Sequence, residues 1–303
     1  DQLAAIDGKD LAGLGAAKVN SLSADQFNAF TAAQVKTLTV DQVAALDDEI
    51  VQGLGEEEIQ AFTGAQLKAL TPTQVGKFSA EQIGKFATSD ANNQIAVLSA
   101  AQIGALSGEQ VAGFSTTQIG KMTTAQINAL SATQVPSLTE GQLGAMSTAQ
   151  IAAIKVDVID NLTTEQVAML STDDADGKSQ IQALTTTQVA ALTNDQVKTL
   201  SDTQLKALTT SEVVALGTAQ VKALTDTQIK SLTTDAVAAM TTAQVNALST
   251  SQLKALSASQ VTALTSTNVA ALATSQVSAL SSSQVQALTT SAVGALSSSL
   301  VNA

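Results

Sequence analysis

Residues 185–208 read TTTQVAAL TNDQVKTL SDTQLKAL, three octapeptides of one pattern. With the unit numbered 1 to 8, the pattern is [Ser/Thr]-x-x-Gln-[Val/Ile/Leu]-x-Ala-Leu. Followed outward, the register covers residues 1–86, 91–170 and 177–303, which makes 37 units. Two short insertions interrupt it, residues 87–90 and 171–176. Position 5 is apolar in all 37 units, from Leu3 to Val301, and position 8 in all 36 units that possess one. Gln holds position 4 in 27 of the 37. Constancy at 5 and 8 beside drifting neighbours marks those positions as core and residues 1–303 as a single repeat solenoid.

Each unit carries a helix start. A Ser or Thr followed three residues later by Gln is the capping-box pattern: the hydroxyl accepts from the amide of Gln, and the Gln side chain reaches back to the cap amide. Counting Asp and Gly as acceptable caps, 33 of 36 units begin suitably. The preceding position 8 and position 5 then form the apolar staple across the helix start. Pro72 falls at position 2, the first helical residue, where proline is favoured. One continuous helix is excluded, because an eight-residue period drifts by about 80° per unit and leaves no steady apolar face. A flat strand is excluded, because positions 5 and 8 point to opposite faces.

The expected fold is therefore all-α: an α-solenoid of very short capped helices, one per unit, with a β-solenoid as the alternative. Helices of about six residues cannot persist alone and must stack to bury positions 5 and 8. Ala at position 7 permits close approach. Two units per coil is the smallest closed arrangement and would bring both insertions out on one edge; three would place them on different corners.

Composition narrows function. The chain has 14 basic residues, all Lys, against 26 acidic ones, for a net charge of −12. It lacks His, Cys, Trp, Tyr and Arg, so imidazole and thiolate chemistry are absent. No basic patch suits a run of phosphates, which argues against nucleic acid. No apolar run reaches the roughly eighteen residues of a membrane span. Without a signal peptide or initiator Met, the sequence reads as a processed or excerpted chain. No nucleophile or phosphate-loop motif is present, and an enzyme is not expected.

The candidate site is Asp173, Asp174 and Asp176 before Gly177. Closely spaced carboxylates ahead of a glycine suit a calcium loop, but the EF-hand spacing is not met. The bland reading is a solvated acidic loop between repeat blocks; calcium is the alternative, and no other cofactor is expected. Asp7, Asp10, Asp47-Asp48-Glu49 and Glu56-Glu57-Glu58 read as exposed helix starts, where carboxylates suit the dipole. Three units place Lys at the normally small position 7, preceded by Gly and followed by Phe or Met: Lys77, Lys85 and Lys121. They are read as local repacking. Pro136 should weaken or tighten its helix end. Residues 155–160 depart most from the pattern, as a worn unit or a bend. The Ser/Thr-rich positions 1 to 3 also admit ice binding or O-glycosylation, although capping already accounts for position 1.

The T-x-x-Q-[V/I]-x-A-L units resemble repeat regions of large secreted or cell-surface proteins of Gram-negative bacteria, of adhesin, S-layer or filament type. The resemblance covers nearly the whole chain and implies an exported stalk, fibre or coat. The array starts at position 3 and stops at position 7. The expectation is thus a structural protein that self-associates head to tail, with an adhesin stalk holding another surface partner as the alternative. An ice-binding protein stands well behind.

Overall fold

A computed structural model describes residues 2–172 and 179–296. The fold is all-α, a succession of short helices at the octapeptide period. The described strands are Thr88–Ser89, in the first insertion, and Asn92–Asn93, in the repeat that follows it, which pair antiparallel as a hairpin. The β-solenoid alternative is thereby set aside.

One unit explains the rest. Thr39 is the extended N-cap of the helix Val40–Ala44. Its hydroxyl accepts from the Gln42 amide at 3.2 Å, and its own amide donates to Gln42 Oε1 at 2.7 Å. The helix closes within five residues, and the Leu46 amide donates back to the Val43 carbonyl. Thr, Ser and Asp disfavour helix interiors and favour caps, so the hydroxyl that opens each unit also stops the one before. At Gly217 and Ala273, which carry no hydroxyl, the glutamine half of the box remains: their amides donate to Gln220 and Gln276. Pro72 stands at the first helical position, as expected. Pro136 tightens its unit into the 3-10 turn Val135–Ser137, and the irregular residues 155–160 lead into a second, Ile159–Asn161.

The core is the pair of apolar positions. Position 5 residues such as Val43, Ile83, Ile119 and Val197 are fully buried, and position 8 residues such as Leu46 and Leu200 are nearly so. At about 25 cal/mol per Å2 of apolar area, this repeated burial holds together helices that have no stability of their own.

The chain divides into two compact units, Asp1–Asn161 and Leu162–Ala303. Inside each, a helix packs not on its sequence neighbour but three repeats away. In the first, Gly8–Gly13 lies against Ala32–Thr37, which lies against Glu56–Ala61. In the second, Asp202–Ala207 lies against Asp226–Ser231, which lies against Thr250–Ala255. The two-unit coil expected from the smallest closed arrangement is not formed. Five- or six-residue helices joined by a single extended cap turn too little per unit for the second to fold back over the first.

Candidate functional site: the glutamine ladder

Position 4 is polar yet buried: Gln42, Gln102, Gln142, Gln188 and Gln252 are each at most 3% exposed. A buried carboxamide must satisfy one acceptor and two donors. The capping box uses only Oε1. The Nε2 hydrogens go to the helix four repeats earlier. Gln42 Nε2 donates to the Leu11 carbonyl at 2.9 Å and the Leu14 carbonyl at 2.7 Å. Gln142 reaches Val111 and Phe114, and Gln252 reaches Val221 and Leu224. Those carbonyls belong to positions 5 and 8. The latter is the helix C-cap, whose oxygen has no intrahelical partner. One side chain thus caps the start of its own helix and the end of another. Among the described residues, no buried side-chain nitrogen or oxygen lacks a partner.

The ladder counts repeats, not residues. Its ordinary spans are 28 and 31 residues. After the first insertion they become 32 and 35 at Gln94, Gln102 and Gln118, and return to 28 and 31 at Gln126. After the second, Gln204 spans 34 and 37. At both insertions the cap amide still finds its glutamine across the extra residues: Ala87 donates to Gln94 Oε1 and Ser171 to Gln180 Oε1.

A second rule acts over three repeats. Position 7 lies over position 2 of the unit three back, and both are usually small. A methyl at Gly113 would press on the Ala80 backbone, 2.8 Å from its Cα. The bulky lysines obey the same geometry with a charge partner. Lys77 pairs with Asp48 at 2.8 Å and Lys85 with Glu56 at 3.1 Å. Lys121 meets Asp90 of the first insertion at 3.0 Å. Gly at position 6 accommodates the next coil: a methyl at Gly76 or Gly84 would sit 3.3 or 3.2 Å from the carbonyls of Ala105 and Gly113. Polar residues at position 6 use that carbonyl row as acceptors, as when Gln182 donates to Ala207 and Thr262 to Ala287.

Asp173, Asp174 and Asp176 lie outside the described residues. Among those described, no group of three or more carboxylates, His or Cys is arranged to hold a metal ion. The other acidic candidates are first-turn residues and caps: Asp7 accepts from the Lys9 amide and Asp47 from the Ile50 amide. Two glutamates take the ladder position itself, Glu58 and Glu212, each nearly buried. Burial pushes both carboxyls above the ordinary carboxylate range. Exposed Glu165 is the opposite case: its own amide and the hydroxyls of Thr163 and Thr164 hold it below that range.

Toward the N-terminus, position 4 is exposed at Gln2, Asp10, Lys18 and Gln26, then buried from Gln34 onward. Toward the C-terminus, position 5 is buried through Val269 but exposed at Val285 (48%) and Val293 (47%). No helix among the described residues is long and apolar enough to cross a membrane.

A family profile described as ALTTAQ repeat matches residues 3–40, 111–140, 140–172, 202–234, 213–250 and 237–274. No curated protein matches the sequence.

Proposed function

The chain belongs to the ALTTAQ repeat family, and from that premise we propose that it is a structural element of an extracellular fibre or surface layer, extended by head-to-tail stacking of copies. The observation that carries this reading is the ladder, in which each rung joins a helix to the one four repeats back through the same two carbonyls, as Gln42 does to Leu11 and Leu14 and Gln252 to Val221 and Leu224. The contact is directional, with the carboxamide on one side and the carbonyls on the other. A heterologous contact of this kind does not close on itself, so stacking of copies by the same rule propagates. The extracellular setting is supported by the likeness of the octapeptides to repeat regions of secreted and cell-surface bacterial proteins.

Sedimentation velocity over a wide concentration range, with negative-stain imaging, tests the reading. Linear assemblies are expected, and Val285→Asp with Val293→Asp should shorten or abolish them while leaving helix content intact. A chain that stays monomeric at the highest concentrations would sink the proposal and leave the adhesin stalk.

A further inference from the structure

The ladder assigns a special role to the two places where a carboxyl replaces the carboxamide. We propose that Glu212 and Glu58 are proton-controlled rungs, which join neighbouring coils when the carboxyl is protonated and loosen them when it is ionised.

At Glu212 the geometry is that of the glutamine rungs, with one atom changed; Glu58 holds the same position behind Gly55, which offers no hydroxyl. Glu212 Oε2 accepts from the Thr209 amide at 2.6 Å, and the Glu212 amide donates to the Thr209 hydroxyl at 3.3 Å. This is the same capping box that Gln204 forms with Ser201, and Gln220 on the other side keeps its glutamine half. Gln220 then donates through Nε2 to Val189 and Leu192, 31 and 28 residues back. The same register sets the carbonyls of Ile181 and Leu184 opposite Glu212, and those of Phe27 and Phe30 opposite Glu58. A carboxylate has only acceptors to offer a carbonyl oxygen. A carboxylic acid has one O–H and restores one of the two bonds.

Among the described residues, the elements packed around Glu212 supply no counter-charge. The helices packed on Thr210–Ala215 are Thr186–Ala191, which has no titratable residue, and Thr234–Ala239, which has only exposed Asp235. The segment 179–184 four repeats back has none. The nearest charged groups in chain order are Asp202, Lys206 and Lys222 on the flanking units. Around Glu58 stand Glu56 and Glu57 on its own helix, Lys36 on Ala32–Thr37, Asp25 on Ala24–Phe27 and Glu81 on Ala80–Gly84. Glu56 is taken by Lys85. Burial raises both carboxyls above their ordinary values, and Glu57 adds to the effect at Glu58.

The sign follows from linkage. A carboxyl whose folded pKa is raised binds its proton more tightly in the stacked state than in the open one. The charged form carries a penalty that is full above the folded pKa and absent below the ordinary carboxylate value. Acidification through that window therefore tightens the coils.

Hydrogen exchange of the full chain, read by mass spectrometry on peptides spanning 179–216 and corrected for intrinsic pH dependence, tests this. Local opening in the wild type should increase by up to about tenfold for each pH unit between the ordinary and the raised pKa. Glu212→Gln, which restores the consensus rung, should flatten that dependence and lower opening at neutral pH, while Asp235→Asn keeps the wild-type profile. Glu58→Gln should act likewise on peptides spanning 27–62. A Glu212→Gln chain with an undiminished pH slope, or an Asp235→Asn chain without one, would overturn the proposal. The measurement is made on dilute protein and does not depend on assembly.

Discussion

Position 4 carries the most consequence per side chain. A rung serves a cap amide and two foreign carbonyls, all shielded from water, so truncating it strands several polar groups at once. Gln142→Ala removes the partners of the Thr139 amide and the Val111 and Phe114 carbonyls. The expected local loss is about 2–4 kcal/mol, since each orphaned buried group costs about 1–3 kcal/mol. It is read as lost exchange protection in peptides covering 107–146. The reverse change is available where the chain lacks a rung. Ala236 keeps the Thr233 hydroxyl bond but has no carboxamide. Ala236→Gln should restore a bridge toward Leu205 and Leu208 and stabilise by about 1 kcal/mol, in the range of consensus substitutions; a urea midpoint that falls instead would show that the site cannot house the longer chain.

Between elements, the constraint is the crossing of position 7 over position 2. Small residues there set how closely helices approach, and core packing tolerates little excess volume. At Gly113 the obstacle is the backbone of Ala80, which cannot rotate away. Gly113→Ala should therefore cost about 1–3 kcal/mol, the usual toll of overpacking, despite alanine's better helix propensity. The Lys85–Glu56 pair is solvent-exposed on both sides and is worth little by itself. A double-mutant cycle on Lys85→Ala and Glu56→Ala should return a coupling of no more than about 1 kcal/mol that shrinks in salt. A larger, salt-insensitive value would mean that the lysine stem packs as core.

At the scale of the molecule, repeats are the unit of account. The ladder spans lengthen by the size of each insertion and then recover, so stability is set by neighbour contacts that add along the array. Excising one full octapeptide, Thr241–Leu248, should leave helix content per residue and the thermal midpoint nearly unchanged. Excising only Thr241–Gln244 breaks the alternation of cap and core and should unfold the surrounding coils. Circular dichroism of the two deletions separates a modular array from a unique tertiary fold, in which both would fail alike.

The sequence alone determined everything that lies within eight residues. The capping box of Thr39 and Gln42, the staple of Leu38 and Val43, the stop at each hydroxyl and the burial of positions 5 and 8 are local, and each unit repeats the instruction. Pro72 and Pro136 were legible for the same reason, since proline acts on its own turn. The tertiary structure decided the destination of the Gln Nε2 hydrogens, the pairing of Lys77 with Asp48 and Lys85 with Glu56, and the meaning of Glu212 as a flawed rung. A trace did exist in the chain, because each of those two lysines stands 29 residues after its acid. It could not be read without knowing that a helix meets its third and fourth successors. That number comes from the small turn added at every cap and summed over a coil, and no single octapeptide contains it.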